Sequence, residues 1–465
     1  MRSPKARRGV ASVAILLSAG LTLAACGGDD SSEATGKTNT AGGTSPGEGK
    51  AECEQLTGFG DLTGKEVNVY TSILPPEQQA HEDSYKLFTE CTGAKVNYEG
   101  SAEFEAQLVV RVRSGNPPDI AYVPQPGLLN TLVTDTGKVV APPDAVAKNV
   151  DDFFGEDWKS YGTVDGTFYA APLGANVKSF VWYSPQTFKD NGWEIPKTWD
   201  EMIALSDKIV QEGKMKPWCA GIGSGEATGW PATDWLEDVV LRAAGPDVYD
   251  QWVNHEIPFN DPKIVDSLDK VGAILKNDDY VNGGLGDVKS IATTTFQDAG
   301  LPILKDECAM HRQASFYAAN WPEGTKVAED GDVFAFYLPP MSEEFGNPVL
   351  GGGEFVAAFN DEPATQALQV YLSSDVWANE KAKATPAGGW VSANKGLEVD
   401  NLASPIDRLS AETLQDPDAV FRFDGSDQMP GAVGAGSFWK EMTAWITGQS
   451  TQDTLDGIES SWPSS

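Results

Sequence analysis

Fourteen tryptophans mark this chain, and several stand beside acidic, amide or basic side chains in glycine-rich stretches. They are SGEATGWPATDW (224–235), CAMHRQASFYAANW (308–321), ATPAGGWVSANK (384–395) and GAGSFWKE (434–441). An indole plane can pack on the C–H face of a pyranose, while carboxylates, amides and guanidinium groups can hold its hydroxyls. Because an unpaired buried polar group costs about 1–3 kcal/mol, such a site gains specificity from complete pairing. Trp230, Trp390, Asp234, Glu226 and Thr228 are candidate contacts in these strings. Each has a plainer reading: the tryptophans as core, Asp234 as a helix cap.

Motifs for bond-making chemistry do not assemble. GFGDLTGKE lacks phosphate-loop spacing and has Glu66 where Ser or Thr would hold magnesium. In GIGSG, Ser224 falls one place late for a nucleophile elbow. The three histidines, His81, His255 and His311, lie far apart, and the HED at His81 reads as a solvated helix start. DGDV and DGSD are too short for a calcium loop. A carboxylate pair for glycoside hydrolysis stays open, because 68 acidic residues permit almost any pair. No cofactor and no metal is expected.

The chain starts with Arg2, Lys5, Arg7 and Arg8, followed by an uncharged stretch ending in Leu23-Ala24-Ala25-Cys26. This reads as a secretory signal over 1–25. Its end resembles the bacterial lipobox, which implies cleavage before Cys26 and lipid on that cysteine. Residues 26–52 are dominated at first by Gly, Ser, Thr and acids, which cannot offset their ordering entropy by burial, so they read as a disordered tether. A flexible tether of that length spans about 28 Å. Losing the signal takes the formal charge from −34 to −38, which argues against nucleic acid and anionic headgroups as partners. Four cysteines remain. Parity in an exported chain and proximity along it favour Cys53–Cys91 and Cys219–Cys308 among three connectivities.

These candidates need a scaffold, and the remaining length fits two domains or lobes. KEVNVYTSI (65–73), AKVNYEG (94–100) and PDIAYVPQPG (118–127) read as strands, alternating with helical QAHEDSYKLFTECTG and AEFEAQLVVRVRSG (102–115). That order predicts an α/β lobe with a parallel sheet. PKTWDEMIALSDKIVQEG (196–213) is a helix with a capping box at Thr198 and Glu201. Helices are also expected near 233–243, 262–276 and, as one long helix, 363–381, with two helical pieces over 436–462. Trp182, Trp199, Trp377 and Trp445 fall in strand or helix patterns and read as core. The ends of the first lobe's strands offer Glu103 and Gln125, because ligands in such sheets bind beyond the carboxyl ends of strands.

From about Val67 onward the chain resembles a family 1 extracellular solute-binding protein, the carbohydrate-binding subunit of a bacterial ABC importer. GNPPDIAYVPQPGLL, GWPATDWLEDVVLR and CAMHRQASF look closest to the α-glucoside-binding branch. The resemblance implies a two-lobed periplasmic-binding-protein-like fold of class II type, each lobe a mainly parallel sheet flanked by helices. Lobe 1 would comprise 53–174 and 355–398, and lobe 2 175–354 and 399–465. APLGANVKSFVWY matches the first crossover, with Asn176 where related maltodextrin binders carry an acid; this departure bears on ligand identity. VLGGGEFVAAFN (349–360) matches the second and offers Glu354. CAMHRQASF implies a stacking Phe316 with Arg312 beside it, and GSFW a stacking Trp439. Arg312 could instead form a structural ion pair, and Glu103 could be an exposed first-turn acid.

The function implied is capture, without catalysis, of an oligosaccharide such as maltose, trehalose or sucrose. A monomer, lipid-anchored at the outer face of the cell membrane (or in the periplasm of a two-membrane cell), would deliver it to ABC permease subunits. A secreted glycoside-active enzyme and a surface sensor or adhesin lipoprotein are the alternatives.

Overall fold

The computed structural model describes residues 46–463 except 48, 283–286 and 417. The expected signal, Cys26 and most of the tether lie outside the described residues. The described chain folds as two α/β lobes joined by a small crossover sheet.

The first lobe's sheet begins as expected. Strands Glu66–Thr71, Lys95–Gly100 and Ile120–Val123 pair in parallel, with Val69 opposite both Tyr98 and Ile120. Two strands from farther along complete the spatial order: Phe355–Ala358 runs antiparallel beside Ile120–Val123, and Ala170–Pro172 pairs with its other edge. The second lobe repeats this design. Val281–Asn282, Lys216–Cys219 and Cys308–Arg312 are parallel neighbours, then Phe180–Tyr183 runs against them and Phe334–Tyr337 closes the sheet. In each sheet the one strand that opposes the rest is the first the chain enters after a crossover.

The crossover sheet joins Asn176–Val177, Asn347–Gly352 and Ala419–Phe423. The first and third crossover strands therefore both hydrogen-bond to the middle one, Asn347–Gly352.

Local patterning accounts for the flanking helices. Phe104, Leu108 and Val112 are the buried stripe of helix Phe104–Arg113. Helix Trp199–Glu212 buries Met202, Leu205 and Ile209; Thr198 Oγ1 accepts the Glu201 N–H at 3.2 Å. The Glu201 carboxylate reaches back to the Lys197 N–H at 2.7 Å, one residue beyond a strict capping box. Trp182, Trp199, Trp377 and Trp445 are buried. The disulfides are Cys53–Cys91 and Cys219–Cys308, one per lobe. None of the described helices is long and apolar enough to cross a membrane.

Two expectations are corrected. The helix read over 363–381 is two helices, Pro363–Leu372 and Asp375–Lys383. Ser374 turns extended between them and its Oγ accepts the Trp377 N–H at 3.1 Å, so the backbone restarts at a new cap. His81 is not solvated. It is buried between Tyr98 and Tyr122, with ring centroids 6.2 and 6.0 Å away, and burial drives its pKa well below the usual value. Ser374→Ala removes the cap of a helix that carries Trp377 into the core of the first lobe. It should lower stability by about 1 kcal/mol, measured by urea unfolding, with the m-value unchanged.

Candidate ligand-binding site

A cavity of about 340 Å³ opens where both lobes and the crossovers meet. The first lobe supplies the loop after strand Glu66–Thr71, including Glu77, then Glu105 and Gln125. The crossovers supply Asn176, Lys178, Gly352, Gly353 and Glu354, and the second lobe Trp230, Phe296, Phe316, Asn320 and Trp439. Trp230, Phe296 and Phe316 pack against each other at 5.0, 6.0 and 6.3 Å between centroids, forming one aromatic wall. Gly229 makes that wall possible. Its φ of +117° starts the helix Trp230–Ala243, and a Cβ there would lie 2.2 Å from the Trp439 carbonyl.

Four buried polar atoms on the wall find no partner within the described protein: Gln125 Oε1, Asn176 Oδ1, Asn320 Nδ2 and Trp439 Nε1. Buried polar groups are normally paired. Here two amide acceptors, an amide donor and an indole donor face a common space. The set suits a ligand of many hydroxyls, each able to donate and accept.

Behind the aromatic wall lies a dense ion network. Asp234 and Asp238 sit one turn apart on helix Trp230–Ala243. Arg312 reaches both, donating to Asp234 Oδ2 at 3.2 Å and to Asp238 Oδ2 at 2.5 Å. Arg242 also bonds Asp238. From the first crossover, the Lys178 ammonium bonds Asp424 Oδ2, lies 3.1 Å from Asp234 Oδ1 and 3.9 Å from Asp427 Oδ2. Asp234, Glu237 and Asp424 bring carboxylate oxygens within 4.8 Å of one another, and Lys178 is the cation held there.

The cavity gathers Gln125, Asn176, Trp230, Phe316, Glu354 and Trp439 from the candidates named in the sequence. The others lie off its wall. Glu103 is exposed at the N-cap of its helix, and Glu105, two residues on, faces the cavity instead and accepts from Gln125 Nε2 at 3.2 Å. Glu226 is exposed, and the Thr228 hydroxyl closes its own loop, bonding Gly225 O and the Ser224 N–H. Asp234 and Arg312 serve the ion network. Trp390 is buried against Trp377 at the cavity's edge. Sequence reasoning passed over Glu77, Lys178, Phe296, Asn320, Asp424 and Asp427. Lys178 and Asn320 lie inside quoted strings, and the DGSD dismissed as a calcium loop contributes both aspartates.

A family model for bacterial extracellular solute-binding proteins matches residues 71–375. The chain is 40% identical over 407 residues to the osmoprotective compounds-binding protein GgtB of Synechocystis sp., covering 87% of this chain and 94% of that one. It is 38% identical over 429 residues to the alpha-glucosides-binding periplasmic protein AglE of Rhizobium meliloti, covering 89% and 90%. Among solved structures, a chitin oligosaccharide binding protein aligns with a TM-score of 0.70 at 19% identity, over 85% of this chain and 97% of that one. RafE in complex with raffinose gives 0.67 at 16%, over 85% and 98%. The chain belongs to the bacterial extracellular solute-binding proteins. Its relatives are substrate-binding proteins, and it is not an enzyme.

The site of this solute-binding protein is strongly acidic, and burial decides where protons sit. Asp424 is held at about 2: burial opposes its ionisation, but Lys178, the Ser426 hydroxyl and the Asp427 N–H outweigh it. Asp234 is pushed up to about 6 by burial, against Lys178 and Arg312. Glu237 and Asp427 rise well above the usual range through burial and then the charge of Asp424. Asp234, Glu237 and Asp427 thus resist ionisation, and Asp424 does not. On the cavity wall, Glu77 is pushed up to about 8 by burial and then by Glu354; off the wall, Asp407, which accepts the Gly389 N–H, is pushed up to about 7 by burial.

The sign of the resulting pH dependence follows. Unfolded carboxyls release protons near pH 4, whereas folded Asp407 and Glu77 keep theirs to about 7 and 8. Between these limits the folded state binds more protons, so stability falls as pH rises. Below about pH 4 the depressed Asp424 acts oppositely, its contribution fading as pH drops toward 2. Melting temperature should therefore peak near about pH 4 and decline toward pH 8, and Asp407→Asn should flatten the decline. A scan showing stability rising from pH 5 to 8 would contradict this account.

Proposed function

We propose that this chain is the lipid-anchored substrate-binding subunit of an ABC sugar importer, capturing an α-glucoside between its lobes and presenting it to the permease. The observation that carries this reading is the combination of an aromatic wall with four inward-facing, unpartnered polar atoms of both hydrogen-bonding senses. A sugar ring has one apolar face for Trp230, Phe316 or Trp439 and hydroxyls for Gln125, Asn176 and Asn320. Carboxyls on the wall, Glu77, Glu105 and Glu354, add acceptors where ionised and donors where protonated. The volume of about 340 Å³ is at the small end of ligand pockets, which supports a disaccharide-sized solute over a long polymer.

The α-glucoside class is supported by the relative AglE, whose name gives alpha-glucosides as its ligand. The name of GgtB, osmoprotective compounds, supports a small polyhydroxy solute of related chemistry. Contacts come from both lobes, so a bound solute favours the closed arrangement and shifts the population toward it. The permease would read closure as occupancy. A micromolar dissociation constant corresponds to about −8 kcal/mol.

Calorimetry with maltose, trehalose, sucrose, a longer maltodextrin and xylobiose tests the reading. We expect binding of at least one α-linked disaccharide, recovered intact, and about tenfold weaker binding by Trp439→Ala, which removes about 1.4 kcal/mol of contact. Absence of heat with every sugar sinks it. For the anchor, cells fed a labelled fatty acid should incorporate label into the wild-type chain and not into Cys26→Ser, which should leave the membrane fraction. Equal labelling would remove the anchor from the reading.

A further inference from the structure

At Gln125 the cavity wall carries an acceptor whose direction is set twice, by its backbone and by a neighbour. Gln125 lies between Pro124 and Pro126. A residue before proline is kept out of the helical region, and Gln125 is accordingly extended, with φ −109° and ψ 112°, at the N-cap of helix Pro126–Thr136. Its carbonyl accepts the Leu129 N–H at 3.0 Å. Gly127 then packs so closely on the turn after Asp427 that a Cβ there would lie 1.8 Å from Met429 O. The backbone at Gln125 cannot swing without breaking both a helix start and this contact.

The side chain is free of the usual duty at this position. Ser, Thr, Asn and Asp cap helices through a side-chain oxygen; Gln125 makes no such bond. It reaches instead to Glu105, in the first turn of helix Phe104–Arg113, and donates from Nε2 to Glu105 Oε1 at 3.2 Å. Phe104, fully buried with its ring centroid 5.1 Å from that of Tyr70, anchors the start of that helix. An ionised carboxylate only accepts. The amide nitrogen therefore faces Glu105 and the amide oxygen turns the other way. That oxygen is buried and has no partner within the described protein, and Gln125, on the cavity wall, is 4% exposed. An acceptor stripped of water at a ligand space is costly to leave unmet.

We propose that Gln125 Oε1 accepts the proton of one particular hydroxyl of the bound solute, and that Glu105 is the positioning residue that holds the amide in this sense. The two residues together read a free O–H. A solute with hydrogen or fluorine at that position offers no donor and is disfavoured. The inference rests on the sugar-binding reading above. An ordered water could satisfy the same oxygen, and the test separates the two.

The full chain and its Gln125→Met, Glu105→Met and Glu105→Gln variants would be titrated with the tightest-bound of maltose, trehalose and sucrose. The analogues of that sugar in which each hydroxyl in turn is replaced by hydrogen or by fluorine complete the series. We expect one position at which both analogues bind wild type at least about tenfold less tightly than the parent. In Gln125→Met and Glu105→Met the loss at that position alone should shrink to about twofold, because the acceptor is absent or no longer aimed. Glu105→Gln keeps an acceptor oxygen and should keep the wild-type pattern. All variants should melt within a few degrees of wild type without sugar. A merely structural role for Glu105 would weaken every analogue alike and overturn the positioning. Losses that persist undiminished at every position in Gln125→Met, as a water on Oε1 would give, overturn the proposal and leave the sugar reading standing. No binding of any parent sugar by the wild type overturns both.

Discussion

The site depends on one ammonium group. Lys178 enters from the first crossover and meets Asp234 on a second-lobe helix and Asp424 and Asp427 just past the third strand of the crossover sheet. Its Nζ stands 5.6 Å from the Trp230 ring centroid, so the same group also backs the aromatic wall. Taking ions out of water costs several kcal/mol each, and breaking a buried pair costs about 3–5 kcal/mol because the partner is left uncompensated. A buried network of this kind is weak evidence for stability in itself. Its value here is geometric: it ties the crossover, the helix bearing Trp230 and the turn bearing Asp424 to one point.

Arg312 extends the same logic inward. Asp234 and Asp238 are like charges at i,i+4 and would repel on an isolated helix. A guanidinium bonding both converts that repulsion into a fixed helix position. The strand Cys308–Arg312 thereby sets the depth of helix Trp230–Ala243, and with it the start of that helix at Gly229, packed against the Trp439 carbonyl. Site residues from widely separated stretches are thus placed in part by Asp234, Asp238 and Arg312, which do not line the cavity.

This explains which parts of the molecule were legible. Period-3.6 stripes such as Phe104–Leu108–Val112 and the Thr198 cap are local, and the structure follows them. The break at Ser374 was missed because the apolar pattern continues across it while the serine hydroxyl quietly offers the backbone a second start. At the site, aromatic residues in polar glycine-rich strings did converge: Trp230, Phe316 and Trp439 share one cavity. Acids were harder to place. Nothing in residue type separates Asp234, which pairs behind the wall, from Glu354, which faces the cavity; the difference is the reach of Lys178 and Arg312 across the fold. Glu103 and Glu105 show the same limit at short range, where two residues of helix phase decide which carboxyl points inward. Phe296 and Glu77 carried no local signal, since each matters only through partners distant in sequence.

The unpartnered atoms also bear on how occupancy is signalled. Gln125 belongs to the first lobe, Asn176 to a crossover, and Asn320 and Trp439 to the second lobe, and all four bury their free atoms where the lobes meet. When the lobes part, water can satisfy these groups. When they meet around nothing of matching shape, each is stripped of water at about 1–3 kcal/mol. Four such penalties, about 4–12 kcal/mol together, are at least as large as the few kcal/mol that separate conformers of a two-state protein. A solute that supplies the missing partners removes the penalty and bridges the lobes at once. On the proposed reading, selectivity and closure then have the same origin: a ligand that leaves one of these atoms unmet binds less tightly and holds the closed form less well.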